Sequence, residues 1–241
     1  MQCVILAGGL ATRMRPLTEK IPKSLLPLGK SPFLKYQLSW LQRQDVTDVV
    51  MCIGHMGDMI RQYAGNGEAW NLRLNYVDEG SNLRGTAGAL RLALNAGFLD
   101  PTFIVLYGDS YLPEDLRPVW TFFESRKEAA LMTVLKNDNQ WERSNAAFKD
   151  HRVTRYQKNT PDPLSLGLHY VDYGLSILRR NMLEKEVPDG VKLDLADVFH
   201  RLSLNGELAG YEMRERFFEI GSPTGLSDLE NYLKLHHLLE V

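Results

Sequence analysis

The sequence predicts an α/β fold: a Rossmann-like, doubly wound, mostly parallel sheet, with a smaller mixed β wall in the later half. Three observations predict it. Short apolar strands alternate with amphipathic helix candidates through the first half, the β–α–β rhythm of a parallel sheet covered by helices. The first strand runs straight into a glycine pair, Gly8-Gly9. From about Ala129 the texture changes to strands joined by turns. The 241 residues suffice for one large domain, read as 1–241 with a first half at 1–128 and a second at 129–241.

Each element has its own reason. Residues 2–6 (QCVIL), 48–53 (DVVMCI), 72–77 (LRLNYV) and 103–107 (FIVLY) are short apolar runs of strand length. Ser31-Pro32 offers a cap and a first-turn proline, with Leu34, Leu38 and Leu41 at helical spacing behind it. A second helix begins near Gly85 and carries Ala89, Leu90, Ala93 and Leu94. Later, 131–135 reads as a strand and 146–156 as a hairpin turning at Asp150-His151. The proline-rich stretch 159–165 reads as a loop, and 168–177 as a strand interrupted at Gly174. A helix at 193–204, a strand at 217–220 and a closing helix from Pro223 complete the chain.

Bulk properties exclude several classes. Twenty-eight basic residues against thirty acidic give a net charge of −2, without the basic excess of a nucleic-acid footprint. No apolar run approaches the roughly 20 residues of a membrane span, and no secretory leader is visible at Met1. Cys3 and Cys52 lie inside apolar strands and read as reduced core residues, so a cytoplasmic protein is expected. Trp40, Trp70, Trp120 and Trp141 read as packing residues, and Lys127-Glu128 as solvated helix charge. No histidine pair has metal-ligand spacing on one face.

The chemistry concentrates between Gly8 and Lys23. A strand ending in paired glycines can bring backbone N–H groups close to an anion. Arg13 and Lys23, the latter in Pro22-Lys23 and stiffened by Pro27, can fold over the same opening. That is equipment for holding a triphosphate. It is not a dinucleotide fingerprint, because Ala11 and Arg13 stand where glycines are required, nor a Walker motif, because Ser24 occupies its first glycine position. Asp109, in Tyr107-Gly108-Asp109 at a strand end, sits at the ligand edge of a parallel sheet and suits Mg²⁺, which takes one or two carboxylates plus phosphate oxygens. Glu79, a pure hydrogen-bond acceptor when ionised, suits a base edge rich in donors such as guanine.

LAGGLATRMRPLTEKIPKSLLPLGKSPFL resembles the signature of the sugar-1-phosphate nucleotidyltransferases, L-A-G-G-x-G-T-R-[LM]-x-P-L-T followed by P-K-x-[LM]-x-P. The closest likeness is to heptose-1-phosphate and mannose-1-phosphate guanylyltransferases, and it runs the length of the chain. Ala11 departs from the usual glycine, and its methyl is expected to narrow the room beside the triphosphate. The resemblance implies a nucleotidyltransferase fold of glycosyltransferase-A type and an Mg²⁺-dependent condensation of an NTP with a sugar 1-phosphate. Arg13 and Lys23 are then catalytic; Leu6, Ala7, Gly8, Gly9, Thr12, Glu79, Gly85 and Thr86 bind the nucleotide. Lys158, Asp172, Gly174 and Gly108 bind the sugar phosphate, and Asp109 and Glu219 hold the metal. Phe217-Phe218-Glu219-Ile220-Gly221-Ser222-Pro223 carries the second ligand, with glutamate for the family's aspartate. Gln157 stands for a glutamate beside Lys158, and Asp172-Tyr173-Gly174 for an Asn-Ala-Gly turn, where the bulk of Tyr173 bears on the choice of sugar. The partners expected are the NTP and the sugar 1-phosphate, with room for a homodimer and none for nucleic acid or membrane. Uridylyl or cytidylyl transfer to another sugar or non-sugar phosphate, and a non-catalytic nucleotide-sugar-binding module, are the alternatives.

Overall fold

The computed structural model describes residues 1–240. The chain begins with β1 (Gln2–Leu6), β2 (Pro27–Leu28), β3 (Ser31–Pro32), α1 (Phe33–Arg43), β4 (Asp48–Ile53), α2 (Gly57–Ala64) and β5 (Arg73–Asp78). It continues through α3 (Gly85–Asn95), β6 (Thr102–Tyr107), β7 (Ser110–Tyr111), α4 (Arg117–Glu124), β8 (Ala130–Lys136), β9 (Ala146–Lys149) and β10 (Arg152–Tyr156). The last elements are β11 (Tyr170–Arg179), α5 (Arg180–Glu186), α6 (Leu195–Leu204), β12 (Leu208–Met213), β13 (Phe218–Glu219) and α7 (Pro223–Leu235). The fold is mixed α/β with a large mixed sheet, as expected. No helix among the described residues is long and apolar enough to cross a membrane.

The contacts group into two compact units, each built from separate stretches. The first takes Met1–Leu83, Leu106–Pro113 and the chain from Phe217 on; the second takes Arg84–Val105 and Glu114–Arg216. The halves expected at 1–128 and 129–241 are contiguous in sequence, whereas these units interleave.

In the first unit β1 lies parallel to β4, with Leu6 opposite Cys52, and β4 parallel to β5. Cys3, Val4, Ile5 and the run from Val49 to Ile53 are buried, the continuous apolar pattern of strands covered on both faces. Neither Cys3 nor Cys52 is in a disulfide. Helix α1 buries Phe33, Leu34, Leu38, Trp40 and Leu41 at helical spacing. It starts one residue later than expected: Pro32 is the N-cap, and Ser31 donates its hydroxyl to Glu240 instead of capping. Ser222 caps α7 by accepting the Gly225 N–H at 3.0 Å, with Pro223 opening the helix as its fixed φ allows.

In the second unit the strand order is β6-β11-β8-β12-β10-β9. Strand β12 runs parallel to β8, and β11–β8, β10–β12 and β9–β10 are antiparallel. Asp150 and His151 have φ of 50° and 57°, the paired left-handed residues of a tight hairpin turn. Strand β11 slips register between Asp172 and Ser176. Gly174 sits in that bulge at φ 86°, where a β-carbon would be strained.

Hydrophobic spacing does not announce three elements. Helix α2 buries only Gly57, Ile60 and Ala64, helix α4 only Val119 and Phe123, and β12 contains Gly210 and an exposed Glu212. Two surface readings are corrected. Lys127-Glu128 is not helical; the Glu128 side chain is 8% exposed and is paired with Arg126 and Arg152. Trp141 is 48% exposed rather than packed.

The strand ends that frame the site are held by one close approach. Gly108 donates its N–H to the Leu6 carbonyl at 3.0 Å. A β-carbon on Gly108 would stand 2.8 Å from that oxygen and 2.9 Å from the Ala7 methyl. Gly108→Ala is therefore expected to destabilise the protein by about 1–3 kcal/mol through overpacking. Urea unfolding measures it, and an unchanged midpoint would mean that the strand ends have room to part.

Candidate active site

Backbone groups at the ends of β1, β4 and β5 define the opening. The Ala7 N–H is donated to Cys52 O at 2.8 Å and the Leu6 carbonyl accepts from Gly108, so Leu6 and Ala7 fix the rim. Gly8 and Gly9 follow, and Gly9 is exposed with no heavy atom near its β-carbon position. Glu79 is anchored by donating its N–H to Ile53 O at 2.9 Å. Its Oε2 lies 2.7 Å from where a β-carbon on Gly8 would be. The glutamate head thus rests on the bare backbone of Gly8.

The next turn places Ala11 in an unusual conformation. Its φ of 48° lies in the left-handed region, which costs a residue with a β-carbon about 1–2 kcal/mol. The departure from glycine therefore adds backbone strain at this turn. The strained peptide is held by two donors on the Ala11 carbonyl: the buried Thr18 hydroxyl at 2.9 Å and the Met14 N–H at 3.0 Å. Met14 anchors the turn in the core and leaves Thr12 and Arg13 exposed.

Four charged side chains converge beyond that turn. Pro22 leads into a short 3₁₀ turn carrying Lys23, whose Nζ lies 2.6 Å from Asp109 Oδ2; the two side chains are 16% and 24% exposed. Asp109 precedes β7, which pairs with β13 so that Ser110 faces Glu219. The Ile220 N–H donates to the Asp109 carbonyl at 3.0 Å. Around the β-carbon position of Gly221 stand Arg13 Nη2 at 3.6 Å, Lys23 Nζ at 3.6 Å and Glu219 Oε2 at 3.9 Å. Two cations and two carboxylates therefore share one locus in the first unit.

No group of three or more His, Cys, Asp or Glu among the described residues is placed to hold a metal ion. The donor set is Asp109 and Glu219 alone. Two hard carboxylate oxygens fit Mg²⁺ drawing its other ligands from water and phosphate, and do not form a closed cage for Ca²⁺ or Zn²⁺. The ammonium against Asp109 marks a position where positive charge is already stabilised.

The second unit holds the remaining candidates. Asp172 is half-buried; its Oδ2 accepts from the Tyr156 hydroxyl at 3.2 Å and its Oδ1 from the Gly174 N–H at 3.0 Å. Lys158 is exposed and close enough to lower the Asp172 pKa, though burial dominates and raises it. Lys158, Asp172 and Gly174 are thus brought together. Tyr173 is fully buried, so its bulk goes into the core. Gly85 and Thr86 are placed differently. At the N-terminus of α3 the Thr86 N–H goes to Asp194 Oδ1 at 3.3 Å, and those of Ala87 and Gly88 to Leu193 O. Thr86 Oγ1 in turn accepts from Leu195 N at 2.7 Å, capping α6. This helix end is satisfied by reciprocal capping within the protein.

Several positioning groups escape a reading of the sequence: Thr18 under Ala11, Tyr156 on Asp172, and His200 and Ser203. The last two fix both sides of the Tyr156 peptide at 2.6 Å and 3.0 Å. Of these only a polar side chain on the buried face of α6, Ser203, breaks a sequence pattern.

The raised Asp172 pKa has a testable sign. An acid with a higher pKa folded than unfolded adds stability below its unfolded value, and that stability is lost as pH rises through the folded value. Asp172→Asn is expected to remove this slope. The variant should gain on the wild type above the ordinary carboxylate value of 3.8, and the gain should vanish below it. Urea unfolding across pH measures it, and parallel pH profiles would contradict the assignment.

Residues 2–232 match the family model described as nucleotidyl transferase. The chain is 26% identical over 225 residues to a mannose-1-phosphate guanyltransferase of Aspergillus fumigatus, covering 92% of this chain and 61% of that protein. It therefore spans about six-tenths of the length of the mannose-1-phosphate guanyltransferases it matches first. It is 27% identical over 227 residues to the D-glycero-alpha-D-manno-heptose 1-phosphate guanylyltransferase of Aneurinibacillus thermoaerophilus, covering 92% of this chain and 94% of that protein. In fold it is similar to HddC from Yersinia pseudotuberculosis complexed with GMP-PN, with a TM-score of 0.77 and 23% identity over 96% of this chain and 99% of that one. The chain belongs to the nucleotidyl transferase family.

Proposed function

We propose that the protein condenses an NTP with a sugar 1-phosphate to give an NDP-sugar and pyrophosphate, with guanylyl transfer favoured and Mg²⁺ as cofactor. The observation that carries this reading is the convergence of Arg13, Lys23, Asp109 and Glu219 around Gly221. The names of the guanylyltransferase relatives support the choice of GTP. So does Glu79, whose carboxylate can accept from the N1–H and amino group of guanine.

A sugar-phosphate oxygen attacks the α-phosphorus in line, and the bond to the bridging oxygen of the β-phosphate breaks as pyrophosphate leaves. The nucleophile is already an anion, so no general base is required. Repulsion between the two phosphates opposes the reaction, and fixed positive charge overcomes it. Arg13 stabilises the leaving pyrophosphate and the charge growing at the α-phosphoryl. Lys23 spans the α-phosphate and the incoming phosphate. Asp109 and Glu219 hold Mg²⁺, which when bound neutralises phosphate charge. In the second unit Lys158 grips the sugar phosphate, while Asp172, with lone pairs left beyond its two internal bonds, accepts from sugar hydroxyls. We place the protein in the cytoplasm, a compartment in which two buried cysteines outside any disulfide remain reduced.

Pyrophosphate release from a panel of NTPs and sugar 1-phosphates tests the reading. Arg13→Ala or Lys23→Ala is expected to cost on the order of 3–4 kcal/mol in transition-state stabilisation, roughly 100- to 1,000-fold in rate, with the fold intact. Wild-type turnover in either variant would remove the carrying observation.

A further inference from the structure

The turn that carries Asp109 is tied down at every residue, and one tie comes from a side chain with no place in the proposed chemistry. Gln37 lies on α1 and is 1% exposed. Its Nε2 donates to Tyr107 O at 2.9 Å and to Ser110 O at 2.9 Å. Both partners are carbonyls, which can only accept, so the orientation of the amide is settled by chemistry. The two bonds bracket Gly108 and Asp109 from both sides. Between them the Gly108 N–H is held by Leu6 O and the Asp109 carbonyl by the Ile220 N–H. Four anchors from α1, β1 and the β13 segment thus fix four consecutive residues, and the Asp109 side chain is left to project toward Lys23.

The other end of the same amide points to a specific role. Gln37 Oε1 is buried without a hydrogen-bond partner among the described residues. A buried, unpaired carbonyl is unfavourable, and its neighbours on α1, Leu34, Leu38 and Leu41, are apolar. Packing alone would be better served by Met or Leu at this position. What glutamine adds is a forked donor that spans two carbonyls three residues apart.

We propose that Gln37 is a positioning residue that sets the Asp109 carboxylate for metal and nucleotide by clamping the turn from Tyr107 to Ser110. The proposal rests on the reading of Asp109 as a metal ligand, and its test separates the two. Mn²⁺ binding is measured by water-proton relaxation with GTP, CTP, UTP and dTTP in turn and no sugar phosphate, alongside thermal melting. Gln37→Met keeps the volume and deletes both donors. It is expected to weaken Mn²⁺–nucleotide binding about tenfold, as loss of a ligand-orienting partner does elsewhere, while the melting temperature falls by a few degrees at most. Asp109→Asn is expected to abolish that binding. Wild-type affinity in a folded Gln37→Met with binding lost in Asp109→Asn overturns this inference and leaves the metal assignment standing. Wild-type affinity in Asp109→Asn, or no binding by the wild type with any nucleotide, removes the metal assignment and this inference with it. Should Gln37→Met fail to fold, amide exchange in the wild type decides. The Gly108 and Ile220 amides are expected to be protected beforehand and to slow less than about threefold when Mn²⁺ and nucleotide are added. Free exchange until they bind would overturn the clamp.

Discussion

Lys23 and Asp109 meet at 2.6 Å with about four-fifths of each side chain withdrawn from water, and the arrangement around them follows from that pair. An ammonium and a guanidinium drawn to one locus repel, and withdrawal from water strengthens the repulsion. Carboxylates on the adjoining strand ends offset it, Asp109 directly and Glu219 from across Gly221. The locus so formed has balanced charge without ligand. On the proposed reading, a metal ion engaging the carboxylates would leave the two cations facing an anion.

Rigidity around the pair comes from backbone accounting. Residues 107–110 have partners on α1, β1 and the β13 segment, and Gly108 admits no side chain against Leu6 and Ala7. The opposite rim is less relaxed. Ala11 adopts a left-handed conformation that its β-carbon resists, and Thr18 and Met14 hold it there. A charged site placed by fixed backbone needs little rearrangement when substrate arrives, which is how positioned electrostatics lowers a barrier.

What could be read in the sequence was what local chemistry determines. The glycine pair, Pro22-Lys23 and the aspartate at a strand end each advertise a role through a few adjacent residues, and the β–α–β rhythm of the first half is periodic. The turn at Asp150-His151 and the closing helix at Pro223 were legible for the same reason. Partners distant in sequence were not. Nothing local at Gly85 and Thr86 shows that Leu193 and Asp194 accept from the first N–H groups of α3. Tyr173 looks like a wall against a sugar until the bulge at Gly174 shows it turned into the core. Gln37 reads as a polar interruption of an apolar helix face, and only tertiary structure supplies the two carbonyls it spans. Helices α2 and α4 bury too few residues to give a period.

A double-mutant cycle on unfolding free energy, with Lys23→Met, Asp109→Asn and the pair, tests the central claim most directly. If these charges form one coupled site, the two single losses will fail to add by about 1–3 kcal/mol, because either change alone strands the other charge. Additivity within about 0.3 kcal/mol would mean that the two groups are independent, and would contradict a site organised around their union.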